Sequence, residues 1–234
     1  MAAMSGQKTI DFVAKKQSKT LLAFSCGKDA IAAWLAIRDH FDEVIPYYLY
    51  LVPDLEFVNE QVAHYEKFFG VKITQLPHPS VHRLLNNFVF QPPQNLRIIE
   101  DAGLPNFDYL DIQKVMCHKF GLPKDTLVAD GVRAADSPMR RIAINTHGSI
   151  SFNQLKYHPV WDWKKQDLID CFRKHNVKLS KDYKIFGRSF DGIDLRFLYL
   201  IKKHYPSDYQ KILDLYPMAD LEIFRWECAN GKHG

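Results

Sequence analysis

A chain of 234 residues, 47% of them hydrophobic, is long enough to bury a substantial core without disulfides or a structural metal. The formal charge of +4, from 31 basic and 27 acidic residues, does not demand nucleic acid as a partner and suits a small anionic ligand equally well. Cys26, Cys117, Cys171 and Cys228 form no CxxC pair, and the sequence contains neither a signal-like N-terminus nor an apolar run of membrane-spanning length; together these predict a soluble, cytoplasmic protein without zinc ribbon or disulfide framework.

In chain order, residues 1–8 read as a loose tail and Thr9–Lys19 as a helix. Thr20–Phe24 is a short apolar run bounded by polar residues, the mark of a buried strand. Ser25–Ala30 is a turn, and Ile31, Trp34, Leu35 and Ala36 recur at helical spacing. Val44–Leu51 reads as a second strand. Phe57, Val58, Val62, Tyr65, Phe68 and Phe69 form a helical stripe that Gly70 stops, and Val71–Leu76 reads as a third strand.

Residues 77–105 read as irregular apart from a helix near 81–87. Asp108–Phe120 fits a helix and Thr126–Ala129 a fourth strand. Ile142–Phe152 reads as a hairpin or mobile loop, and Lys164–His175 as an amphipathic helix. Beyond Asp194 the pattern is helical. Strands alternating with amphipathic helices predict an α/β fold: an open, mostly parallel twisted sheet with helices on both faces, plus a C-terminal helical subdomain. The expected divisions are 1–19, 20–176 and 177–234.

The turn Ser25-Cys26-Gly27-Lys28-Asp29-Ala30 sits where a parallel sheet binds ligands, between a strand's C-terminal end and a helix N-terminus. Gly27 lets the backbone approach an anion, Ser25 offers a hydroxyl and Lys28 a mobile charge. Asp29 suits three tasks: capping the helix, orienting Lys28, or holding Mg²⁺ as a metal ligand. The pattern is neither a Walker loop nor GxGxxG.

The turn resembles the PP-loop, Ser-Gly-Gly-x-Asp-Ser, at Ser25, Gly27 and Asp29, and departs from it at Cys26 and Ala30. Three further segments follow in the order of PP-loop proteins related to phosphoadenosine-phosphosulfate (PAPS) reductases. Leu51-Val52-Pro53-Asp54-Leu55-Glu56-Phe57 resembles their Asp-Thr-Gly-x-x-Phe at Asp54 and Phe57. Gly131 to Arg141 resembles Gly-x-Arg-x-x-Glu-Ser-x-x-Arg, with Asp136 in place of Glu. Pro159 to Ile169 resembles Pro-Leu-x-x-Trp-x-x-x-Asp-Val, with Trp163 packing at a helix start.

The resemblance implies a domain over 20–176 that binds an adenine nucleotide, ATP or PAPS, with Mg²⁺ as companion. It implies binding by Ser25, Cys26, Gly27, Lys28, Asp29, Ala30, Leu51, Asp54, Gly131, Arg133, Ser137, Arg140 and Arg188. Lys28, Arg133 and Arg140 would act on the phosphates, as an adenylyl-transferring or ATP pyrophosphatase type. Cys228, in Glu227-Cys228-Ala229-Asn230-Gly231-Lys232-His233-Gly234, echoes the nucleophilic Glu-Cys-Gly-x-His of the reductases, which would bring a thioredoxin-type reductant as partner. The cysteine pairs of related iron–sulfur reductases are absent from Phe186 to Arg196, so the expectation is no iron–sulfur cluster. The substituted loop and the basic pairs Lys15-Lys16, Arg140-Arg141 and Lys202-Lys203 leave another reading open: a nucleotide-responsive binding module, or a subunit of a nucleic-acid-modifying complex. A homo-oligomer or complex subunit is expected.

Overall fold

The computed structural model describes residues 3–231. The elements run α1 (Gly6–Ala14), β1 (Lys19–Ala23), α2 (Lys28–Ile37), β2 (Glu43–Tyr50), α3 (Glu56–Phe69), β3 (Thr74–Pro77), α4 (Ser80–Asn86), α5 (Leu96–Ala102), α6 (Tyr109–Phe120), β4 (Val128–Ala129), α7 (Pro138–His147), β5 (Ile150–Ser151), β6 (Lys156–Tyr157), α8 (Lys165–Lys174), α9 (Lys181–Phe186), α10 (Leu195–His204), α11 (Pro206–Leu215) and α12 (Asp220–Ala229). They fall into two compact units, the first formed by residues 3–49, 65–76 and 109–179, the second by 50–64, 77–108 and 180–231. Residues 50–64 and 77–108 group with the C-terminal helices.

The first unit carries an open sheet in the order β3-β2-β1-β4-β6-β5. β1 lies parallel to both β2 and β4, β4 is parallel to β6, and only β5 runs antiparallel, against β6. This is the α/β architecture the sequence predicts. β1 is central, and its buried Thr20, Leu21 and Leu22 follow from pairing on both edges. The chain leaves β1 toward β2 and β3, then returns to β4 on β1's other side. The β1/β4 boundary is therefore the sheet's topological switch point, where such folds place ligands.

Phe24 continues the parallel pairing just past β1, donating its backbone N–H to the Tyr47 carbonyl at 2.8 Å. Its ring meets Tyr65 and Phe69 edge-on at 5.4 Å each, and Phe69 stacks on Trp34 of α2 at 4.4 Å. This buried aromatic cluster fixes the strand before the Ser25 turn and the helix after it to the same core. Deleting a ring of this kind costs about 3–5 kcal/mol. Toward the N-terminal end of the strands, the Thr20 hydroxyl bonds the Leu127 carbonyl at 3.0 Å and the Tyr157 hydroxyl at 3.1 Å, tying three neighbouring strands through buried polar groups.

The expected hairpin or loop over Ile142–Phe152 is corrected in part: α7 occupies residues 142–147, and β5 within the span opens a hairpin that β6 completes beyond it. Ser137 caps α7 by accepting the Arg140 N–H at 3.1 Å, and Pro138 takes the first helical turn, where a missing N–H is harmless. The second unit is helical around an aromatic cluster of Phe57, Phe186, Phe190 and Phe197. There Asp208, only 1% exposed, accepts the N–H groups of Glu56 and Phe57 at 2.8 and 3.0 Å and so caps the start of α3. Asp54 is exposed at φ 55°, and its carbonyl accepts a hydrogen bond from Lys211 Nζ at 2.7 Å. Among the described residues no helix is long and apolar enough to cross a membrane.

Candidate nucleotide site

At the switch point the turn after β1 meets the segment after β4. Ser25 is exposed, Cys26 and Gly27 are buried, and α2 begins at Lys28 with Gly27 as its N-cap. The first bond of the helical ladder runs from Ile31 N–H to the Gly27 carbonyl at 3.0 Å. The N–H groups of Lys28, Asp29 and Ala30 precede that bond and present the positive end of the helix at the sheet's C-terminal edge. Cys26 holds φ 57°, a left-handed conformation that favours glycine. Cys26 holds that conformation without glycine's freedom, at the cost of strain.

Gly131, two residues past β4, closes the site from the other side. A Cβ placed on it would lie 2.6 Å from the Asp29 carbonyl carbon and 2.7 Å from the Ala30 nitrogen. Only glycine permits that approach without displacing backbone.

A chain of alternating charges spans the two segments. Lys28 Nζ contacts Asp29 Oδ2 at 2.6 Å, and Arg133 Nε donates to Asp29 Oδ1 at 2.6 Å. Arg133 Nη2 then donates to Asp136 Oδ1 at 2.6 Å, and Arg140 Nη1 to Asp136 Oδ2 at 3.2 Å. Arg133 Nη1 reaches the Trp163 carbonyl at 3.4 Å, and the side chain is 5% exposed.

Arg133 is enclosed, with all three of its nitrogens on protein acceptors. Asp29 has one oxygen on each of two protein cations, Lys28 and Arg133. Lys28 and Arg140, with side chains 41% and 51% exposed, are the cations this network leaves open to a ligand. Ser137 acts as a helix cap. Among the described residues no cluster of three or more His, Cys, Asp or Glu gathers to hold a metal ion.

Leu51, Asp54, Arg188 and Cys228 belong to the second unit. Arg188 is paired with Asp191. Cys228 is an exposed free thiol on α12, whereas burial pushes the Cys117 and Cys171 thiols up, away from ionisation. Lys232 and His233, expected beside Cys228, lie outside the described residues.

Sequence reasoning missed Asp130 and His158. They follow β4 and β6 directly, and His158 Nδ1 sits 2.6 Å from Asp130 Oδ1. The signal was available: two polar residues stand where buried parallel strands end, and that edge is where ligands bind. Nearby, burial first and the Asp130 charge second push the Tyr47 phenol well above the usual tyrosine range, so it remains a neutral hydroxyl.

No family model matches this chain, and no curated protein matches it. Among solved structures, an NH3-dependent NAD synthetase from Campylobacter jejuni is similar at TM-score 0.45 and 14% identity, over 94% of this chain and 92% of that one. The U34-tRNA thiolase NcsA from Methanococcus maripaludis, with its [4Fe-4S] cluster, gives TM-score 0.41 and 11% identity over 91% and 78% of the two chains. A predicted subunit of tRNA methyltransferase from Methanocaldococcus jannaschii gives 0.35 and 15% over 82% and 92%. The expectation of no iron–sulfur cluster is withdrawn: the thiolase, one of the similar structures, carries one. At these values the similarities assign no activity.

Proposed function

We propose that the α/β unit binds an adenine nucleotide with its phosphates over the N-terminus of α2, and cleaves or transfers at the α-phosphate. The observation that carries this reading is the convergence at one switch point of a helix N-terminus, a glycine pressed against the turn, and two half-exposed cations, Lys28 and Arg140. A helix N-terminus beside accessible cations is a site for phosphate oxygens. The choice of adenine and of the α-phosphate comes from the resemblance at Ser25, Gly27, Asp29, Gly131, Arg133 and Arg140.

Each residue then has a task. Backbone N–H groups of the turn and α2 hold the departing phosphates. Lys28 swings from Asp29 onto them, and Arg140 neutralises charge at the rim. Asp29, Arg133 and Asp136 keep the turn and the Gly131 segment in register. The protein has little covalent work to do, so positioning and fixed charge supply the rate enhancement.

Calorimetric titration with ATP, AMP and PAPS tests the reading. Wild-type protein is expected to bind at least one of them, and Lys28→Ala to bind it at least about tenfold more weakly, the loss of roughly 1.4 kcal/mol of contact. No binding by the wild type, or equal affinity in the variant, overturns it.

A further inference from the structure

Asp130 and His158 form a built pair at the same sheet edge. Their side chains are 16% and 17% exposed, enclosed but still reachable. Asp130 follows β4 and donates its backbone N–H to the Tyr157 carbonyl at 3.2 Å; His158 follows β6 and donates its own to the Ser149 carbonyl at 3.0 Å. Asp130 Oδ1 accepts the Val132 N–H at 3.0 Å as well as His158 Nδ1 at 2.6 Å. Strand ends therefore hold the backbone of both partners, and the next residue, Gly131, is the one packed against Asp29 and Ala30.

The chemistry of the pair follows from its donors and acceptors. An ionised carboxylate only accepts, so Nδ1 carries the proton in the Asp130 bond. In the neutral ring Nε2 then holds a lone pair, and Asp130 fixes both the tautomer and the ring's orientation. The same carboxylate stabilises the imidazolium that forms when Nε2 takes a proton. The charge network from Lys28 to Arg140 does not include this pair, and holding phosphate does not require it.

We propose that His158 is the proton acceptor of the nucleotide site, with Asp130 as its positioning residue; the inference rests on the nucleotide reading above. In the reaction, an oxygen of the acceptor bonds to the α-phosphorus. Its proton passes to His158 Nε2. The bridging bond between the α-phosphorus and the leaving phosphate oxygen breaks, and the electron pair departs with pyrophosphate. No atom changes oxidation state. With water as acceptor and ATP as substrate, the products are AMP and pyrophosphate, and the imidazolium then returns its proton to solvent.

The test uses the full chain with ATP, following AMP and pyrophosphate release and, separately, ATP affinity by calorimetry. His158→Gln is expected to lower kcat by roughly 100-fold or more, the usual scale of a lost general base, while ATP affinity stays near the wild-type value. Asp130→Asn keeps an oxygen for Val132 but removes the charge behind the imidazolium. It is expected to lower kcat with ATP affinity and melting temperature little changed, a split that a purely structural role would not produce. Unchanged kcat in folded His158→Gln or Asp130→Asn protein overturns the proposal. So does ATP binding by the wild type without AMP release, which leaves the nucleotide reading in place. Absence of ATP binding by the wild type removes the proposal, and absence of AMP and PAPS binding as well removes the nucleotide reading.

Discussion

Arg133 and Asp29 are 104 residues apart in the chain, and their side chains meet at 2.6 Å with the guanidinium almost wholly enclosed. The pair joins the turn after β1 to the segment after β4. Asp29→Ala removes one of two carboxylates around a buried guanidinium, and breaking such pairs costs about 3–5 kcal/mol. Arg133→Met leaves Asp29 with Lys28 and Asp136 with Arg140, and is expected to cost less. Urea unfolding of the two variants checks the order; a smaller loss for Asp29→Ala contradicts it.

Gly131→Ala puts a methyl group into backbone atoms, which cannot rotate aside as a side chain would. The expected loss is about 1–3 kcal/mol or more, with nucleotide affinity reduced because the Gly27–Ala30 turn is displaced. Unfolding and calorimetry together check this. Wild-type stability in Gly131→Ala would show that the two segments are not in tight contact.

Cys26 holds a left-handed backbone at φ 57°, which costs a non-glycine residue roughly 1–2 kcal/mol. Cys26→Gly and Cys26→Ala both lose the buried thiol, but only the glycine variant loses the strain. Cys26→Gly is therefore expected to be the more stable of the two in urea unfolding, with nucleotide binding retained. The reverse order would mean that the turn does not require this conformation.

His78 supplies a pH dependence. Burial first, then the Arg83 charge, lowers its pKa from 6.5, and its Nδ1 accepts the Ser80 N–H at 3.0 Å. The unfolded chain thus binds the proton more readily than the folded one. The sign follows from linkage: this contribution to stability is fully present above pH 6.5 and is lost as pH falls through the lower folded value. His78→Gln is expected to flatten the stability profile on the acid side of that point. An unaltered acid slope in the variant contradicts the assignment.

Much of this was legible in the sequence. The β1 run ending at Phe24, the turn and the helix after it are visible because burial on both faces leaves an unbroken apolar stretch, and Gly70 marks a helix end with φ 74°. The hairpin was misplaced because Ser137-Pro138, a helix start, was read only as part of an arginine-bearing segment. β5 and β6 are two residues each, too short to show alternation. Arg133 could be picked out, but not its enclosure, since Asp29 and Asp136 reach it through tertiary contacts. Asp208 as the cap of α3 and His158 on Asp130 were hidden for the same reason: distant residues supply partners that local pattern cannot display.

The central claim is that the backbone opening α2 receives the nucleotide's phosphates. Its most direct test is a two-dimensional ¹H–¹⁵N spectrum of the labelled chain during ATP titration. Amide shifts are expected to be among the largest at Gly27, Lys28, Asp29 and Ala30, and to be markedly smaller at Gly27, Asp29 and Ala30 in Lys28→Ala protein at the same sub-saturating ATP concentration. Saturating ATP that leaves those four amides unmoved would contradict the account.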